Sequence, residues 1–89
     1  MFTGNLKIKD IKVEIGQLVK TLRKNEKLPQ KELADKLGIS RITLQNLEKG
    51  ENFTIDTLLK ILQYFELSLE FNDFFKMKIE EHTNNKPLY

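Results

Sequence analysis

The sequence predicts a mainly α fold: a compact domain of four to five helices carrying a short C-terminal β-strand or hairpin. Three observations predict it. Apolar residues recur at three- and four-residue spacing in several stretches between Ile11 and Phe65, the spacing of one helix face. Gly38 and Gly50 close two of those stretches, where a helix C-terminus accepts a left-handed residue. The period shortens to two in Leu67–Phe71, as in a strand. Eighty-nine residues with six Phe and 39% hydrophobic content suffice for one domain with a modest core.

Composition narrows the functional classes. No apolar run approaches the roughly 18 residues that span a membrane, and the N-terminus lacks a signal-peptide pattern. The expectation is a cytoplasmic, nucleoid-associated protein without a membrane partner. There is no Cys, hence no disulfide or thiolate metal site. One His, no phosphate-binding Gly loop and no spaced metal ligands give no support to catalysis, and no cofactor or metal is expected. Net charge is +2, but it is unevenly spread: residues 1–49 hold 11 Lys or Arg against 6 acids, and residues 50–89 hold 4 against 7. The first half therefore suits a polyanion better than the second.

The elements follow in order. Residues 1–10 read as an N-terminal arm. Leu6 and Ile8 alternate with Lys7 and Lys9, which fits either a short edge strand or a solvated basic arm. Asp10 can cap a first helix over Ile11–Asn25, with Ile11, Ile15, Leu18, Val19 and Leu22 as its buried stripe. Gly16 weakens that helix locally, by up to about 1 kcal/mol relative to Ala. Lys20 and Lys24 share one side of it. Lys27-Leu28-Pro29 leads into a second helix, lined by Leu33, Ala34 and Leu37 and stopped by Gly38. Ile39 plugs the turn. Ser40 offers a hydroxyl to the free N–H groups of a third helix, which runs from Arg41 to Lys49 and buries Leu44 and Leu47. Its outward side chains are Arg41, Ile42, Thr43, Gln45, Asn46 and Lys49, with Glu48 set apart. Donors, amides and a branched apolar group on one short helix are what a DNA major groove can be read with.

After the loop Gly50–Phe53, in which Phe53 turns inward, Thr54 caps a helix over Ile55–Phe65. Its apolar residues cover more than one side, so it forms the inner wall of the core. Leu67, Leu69 and Phe71 then share one face of a strand. Phe75, Met77 and Ile79 alternate as well, so a hairpin turning at Asn72–Phe74 is consistent. A terminal helix over Asp73–Glu81 is the alternative. A lone hairpin is marginal and exposes its edges, so the strand asks for a partner: a second copy across a two-fold axis, its own domain, or Leu6–Ile8. Residues 11–71 form the main domain and 72–89 a dimerisation and tail segment. His82 onward is polar, its His solvated, and Leu88 and Tyr89 could form a small docking motif.

The run QKELADKLGISRITLQNLEKGEN resembles the helix-turn-helix of the Cro/phage-repressor (XRE) class, over about Ile15 to Leu69, and the chain is most similar to its antitoxin-type regulators. The resemblance implies a repressor-like domain that binds double-stranded operator DNA as a homodimer, its reading helices about 34 Å apart on a pseudo-palindrome. It also implies a toxin protein as partner, a kinase among the candidates. If so, neutralising that toxin could be the main activity and DNA binding secondary. Within this frame Arg41 is the expected base contact, its fork matching guanine O6 and N7; a phosphate contact is the alternative. Ile42 would meet a thymine methyl or pack on the turn. Gln45 or Asn46 would pair with adenine, and Thr43 and Lys49 would meet phosphates. Ser40 either caps only or also touches DNA. Matching positions imply that Gln30 holds phosphate and braces the reading helix, that Asn52 touches phosphate, and that Arg23 pairs structurally with Glu48. Pro29 stands where the class usually places a capping Thr, Ser or Asn. Leu67, Leu69 and Phe71 are the expected dimerisation residues.

Overall fold

The computed structural model describes residues 7–84. Five helices follow one another: α1 (Ile8–Asn25), α2 (Gln30–Leu37), α3 (Arg41–Glu48), α4 (Ile55–Tyr64) and α5 (Ser68–Asn84). There is no strand among the described residues.

The core is small. Val19, Leu33, Ala34, Leu37, Leu44, Leu47 and Ile61 are buried, with Ile15, Leu28, Ile39, Phe53, Tyr64 and Phe65 packed partly against them. Each of the first four helices sends one face to this cluster, as the three- and four-residue spacing requires. The α2–α3 corner is built locally. Gly38 ends α2 at φ 71°, a conformation that costs a residue with a Cβ. The N–H of Ile39 then donates to the carbonyl of Ala34 at 3.0 Å. Ser40 caps α3, its Oγ accepting from the N–H of Thr43 at 3.0 Å. Thr54 caps α4 in the same way through the N–H of Thr57, at 3.2 Å.

Helix α1 departs from expectation at its start and in its rotation. It begins at Ile8, and Asp10 lies inside the first turn, its carboxylate accepting from the N–H of Lys7 at 3.4 Å. Ile8 is therefore helical, while Leu6 of the expected arm lies outside the described residues. The buried face is Gly16, Val19 and Arg23; Ile11 and Leu18, expected inside, are exposed. The reason is the close approach of α3, which only the glycine face of α1 can accommodate.

The C-terminal strand is corrected to a helix. Ser68, Leu69 and Phe71 belong to α5, and Leu67 precedes it, its carbonyl accepting from the N–H of Phe71 at 3.1 Å. Glu66 takes φ 60° and the N–H of Leu67 returns to the carbonyl of Leu62 at 2.7 Å, which ends α4 and redirects the chain. A helix satisfies its backbone groups within itself, whereas an unpartnered hairpin leaves an open edge. Phe71 and Phe75, one helical turn apart, meet edge to face with ring centres 4.8 Å apart. Of the other helices, α5 packs chiefly on α4, and the molecule is elongated, 50 × 26 × 22 Å.

Candidate nucleic-acid interface

The outward side of α3 begins at its cap. Arg41, Ile42 and Lys49 are exposed; Thr43, Gln45 and Asn46 are half-buried around them. Ile42 keeps 65% of its surface open, a large apolar side chain with no covering neighbour. The hydroxyls of Ser40 and Thr43 lie 2.8 Å apart, and the Ser40 hydroxyl also accepts the N–H of Thr43 as the cap. Leu44 and Leu47, on the opposite side of α3, are fully buried. Burial on one side thus fixes which side chains point away.

A buried polar network sets the far end of α3. Arg23 Nε donates to Glu48 Oε2 at 2.7 Å, and a second guanidinium nitrogen donates to Oε1 at 3.0 Å. The remaining arm of Arg23 donates to the carbonyl of Leu28 at 2.7 Å. Gln30 Nε2 donates to Glu48 Oε1 at 3.0 Å. The Arg23–Glu48 pair therefore ties α1, the link before α2 and the first residue of α2 to the last residue of α3. Arg23 and Glu48 are both 7% exposed. A bidentate pair is directional, and at this burial it fixes geometry more than it stabilises, because desolvation offsets much of the attraction.

Gly16 is the residue whose role the sequence pattern alone missed. A Cβ there would lie 2.5 Å from the carbonyl oxygen of Leu47 and 2.7 Å from that of Glu48. Helix α1 crosses the end of α3 backbone to backbone. Gly50 does the same from the other side: at φ 83°, a Cβ would meet Val13 at 2.8 Å. The available signal was placement, since Gly16 shares a helix face with Val19 and Arg23 at spacings of three and seven.

Between the N-termini of α2 and α3 lies an open groove of about 420 Å³, lined by Arg23, Pro29, Gln30, Lys31 and Arg41. Arg23 is neutralised by Glu48, so the uncommitted charge comes from Arg41 and Lys31. Lys31 has an exposed partner, Asp35, at 3.2 Å, a contact of small energetic weight. Pro29 makes no side-chain cap, and the first-turn N–H groups of a helix have no intrahelical partner. Such groups favour an anion. Lys31 was not among the expected contacts. Asn52 sits apart in the loop after α3, exposed, its side-chain oxygen accepting from Lys12 Nζ; Lys12 was likewise not singled out by the sequence. Leu67, Leu69 and Phe71 are remote from this surface in chain order and belong to the α4–α5 junction.

Among the described residues, no group of three or more His, Cys, Asp or Glu could hold a metal ion, and no helix is long and apolar enough to cross a membrane.

A family model described as helix-turn-helix matches residues 19–72. The chain is 38% identical over 61 residues to the antitoxin HipB of Escherichia coli K12, covering 67% of this chain and 69% of that protein. It is 36% identical over the same length to the HipB of a second Escherichia coli strain, CFT073, of which it covers 65%. A protein of Pyrococcus furiosus named for an HTH-type transcriptional regulatory role is 36% identical over 74 residues; those cover 81% of this chain but only 24% of the relative.

Proposed function

This chain belongs to the XRE-type helix-turn-helix family of DNA-binding regulators, and on that premise we propose that it is a sequence-specific repressor acting as a dimer on a pseudo-palindromic operator. The observation that carries the reading is the open face of α3. Arg41, Ile42 and Lys49 are exposed there, Gln45 and Asn46 stand beside them, and the cationic groove of Arg41 and Lys31 adjoins. In this reading Arg41 and one amide, Gln45 or Asn46, contact base edges, and Ile42 packs on a thymine methyl. Gln30, Lys31, Thr43, Lys49 and Asn52 position the phosphate backbone, Ser40 sets the start of the helix, and residues 11–71 supply the DNA-binding unit.

Selection of bound duplexes from a random pool tests this directly. The expected result is an enriched inverted repeat whose half-sites lie about one helical turn apart. Enrichment without any preferred sequence would leave only phosphate affinity.

The similarity to two antitoxins supports a second role in the same molecule: neutralising a toxin protein encoded with it, through α4 or residues 72–89. Removing residues 82–89, which leaves most of α5 in place, and measuring partner capture and DNA retention separately distinguishes the roles. Loss of toxin binding with DNA binding retained is expected if that segment docks the partner.

A further inference from the structure

Lys12, on the second turn of α1, spends its ammonium group on a neutral partner. Its Nζ donates to Asn52 Oδ1, and Lys12 makes no ion pair among the described residues. The backbones beneath this contact are pressed together. A Cβ on Gly50 would lie 2.8 Å from the Val13 side chain, and one on Gly16 would lie 2.5 Å from the carbonyl oxygen of Leu47. The first turns of α1 and the loop after α3 therefore hold one fixed relationship. We infer that Lys12 is a further positioning residue for DNA: it turns the Asn52 amide so that its NH₂ group is free to donate, and the two side chains share one backbone phosphate. The inference deepens the DNA-binding reading above and rests on it.

Hydrogen-bond chemistry fixes the amide. An ammonium group only donates, so it takes the amide oxygen and leaves Nδ2, a pure donor. Lys12 keeps two further N–H groups of its own. Asn52 is exposed and Lys12 half-buried, so the lysine stem is held while the amide meets solvent. Donors beside an uncompensated positive charge suit a phosphate oxygen. Of the charges beside the loop, exposed Lys49 and Glu51 offset each other, and the charge of Lys12 remains. Position identifies the phosphate as one of a duplex. Helix α3 has eight residues, about 12 Å of rise, which is close to the width of a major groove. Arg41 and Lys31 stand at its start, and Lys12 and Asn52 stand past its end. A helix seated in the groove thus has one grip for the backbone on either side.

The test uses the full chain and duplexes selected from a random pool, with anisotropy read over a salt series and the thermal midpoint read alongside. Lys12→Met is expected to weaken binding about tenfold at low salt and to flatten the slope of log affinity against log salt by about 0.9. Lys12→Arg, which keeps the charge and the donors, should restore the slope. Asn52→Ala should cost affinity in the wild-type chain and little more once Lys12 is Met, because the two act as a unit. Asn52→Asp separates positioning from plain structure. Its carboxylate keeps the tie to Lys12, so the thermal midpoint should hold, yet it repels phosphate, so binding should fall below that of Asn52→Ala. A Lys12→Met loss that is independent of salt and follows the midpoint would overturn the inference, leaving Lys12 a staple between α1 and the loop. So would wild-type binding in Lys12→Met while Arg41→Ala still weakens it, an outcome that spares the DNA reading. A wild-type chain that retains no duplex at low salt would overturn the inference and the DNA reading together.

Discussion

Arg23 grips Glu48 with two nitrogens, at 2.7 and 3.0 Å, across 25 residues of chain. The pair is nearly closed to solvent, and Gln30 shares one of its oxygens. Removing one partner leaves an uncompensated buried charge, which costs about 3–5 kcal/mol. Arg23→Ala should therefore lower the urea midpoint sharply. The double change Arg23→Met with Glu48→Leu should recover most of that loss, because neither charge remains. DNA affinity should not recover in parallel, since the apolar pair lacks the directional tie that sets the end of α3. Equal recovery of both properties would show that the pair serves stability alone.

Gly16 faces the carbonyl oxygens of Leu47 and Glu48, with no room for a methyl group. In an exposed helix Gly16→Ala would stabilise by up to about 1 kcal/mol. Here the backbone of α3 must move, and such overpacking costs about 1–3 kcal/mol. The net expectation is destabilisation together with weakened DNA binding. A variant with a raised thermal midpoint would contradict the close crossing of α1 and α3.

What the sequence disclosed follows from where its signals are redundant. The α2–α3 corner announces itself several times over: the Leu33-Ala34-Leu37 spacing, a glycine at positive φ, a capping serine, and the buried pair Leu44 and Leu47. All constrain the same few residues. The α5 region carries one ambiguous signal instead. Leu67, Leu69 and Phe71 alternate, yet Phe71, Phe74, Phe75 and Ile79 also fit a helical face, and a short apolar run does not choose between periods. The backbone decides, since a helix needs no neighbour for its hydrogen bonds. In α1, Ile11, Ile15, Leu18 and Leu22 repeat as regularly as the buried face does. Burial follows Gly16 because that side alone lets another backbone approach, and an apolar count does not register the missing Cβ. Lys31 escaped notice because a surface lysine becomes informative only when folding sets it across a groove from Arg41.

Arg41 stands exposed at the start of α3. If its guanidinium is bidentate to a guanine, Arg41→Ala should cost about 1–3 kcal/mol on the selected site and relax preference at one base pair. Arg41→Lys should restore little, because a point charge cannot reproduce the fork. Competition binding against single-base variants of the site reads both effects. An equal loss on selected and random duplexes would assign Arg41 to phosphate.

Lys31 gives the complementary prediction. It lines the groove at the start of α2 and has only an exposed partner in Asp35. Neutralising one phosphate releases counterions, so each such contact adds about 0.9 to the slope of log affinity against log salt. Lys31→Ala should weaken binding to selected and random DNA by similar factors and flatten that slope by about one. Asp35→Asn should do the opposite on a small scale, strengthening binding at low salt as the competing carboxylate loses its charge. Fluorescence anisotropy over a salt series measures both. An unchanged slope in Lys31→Ala would place the phosphate path away from the α2 N-terminus, leaving Thr43, Lys49 and the loop around Asn52 as the remaining backbone contacts.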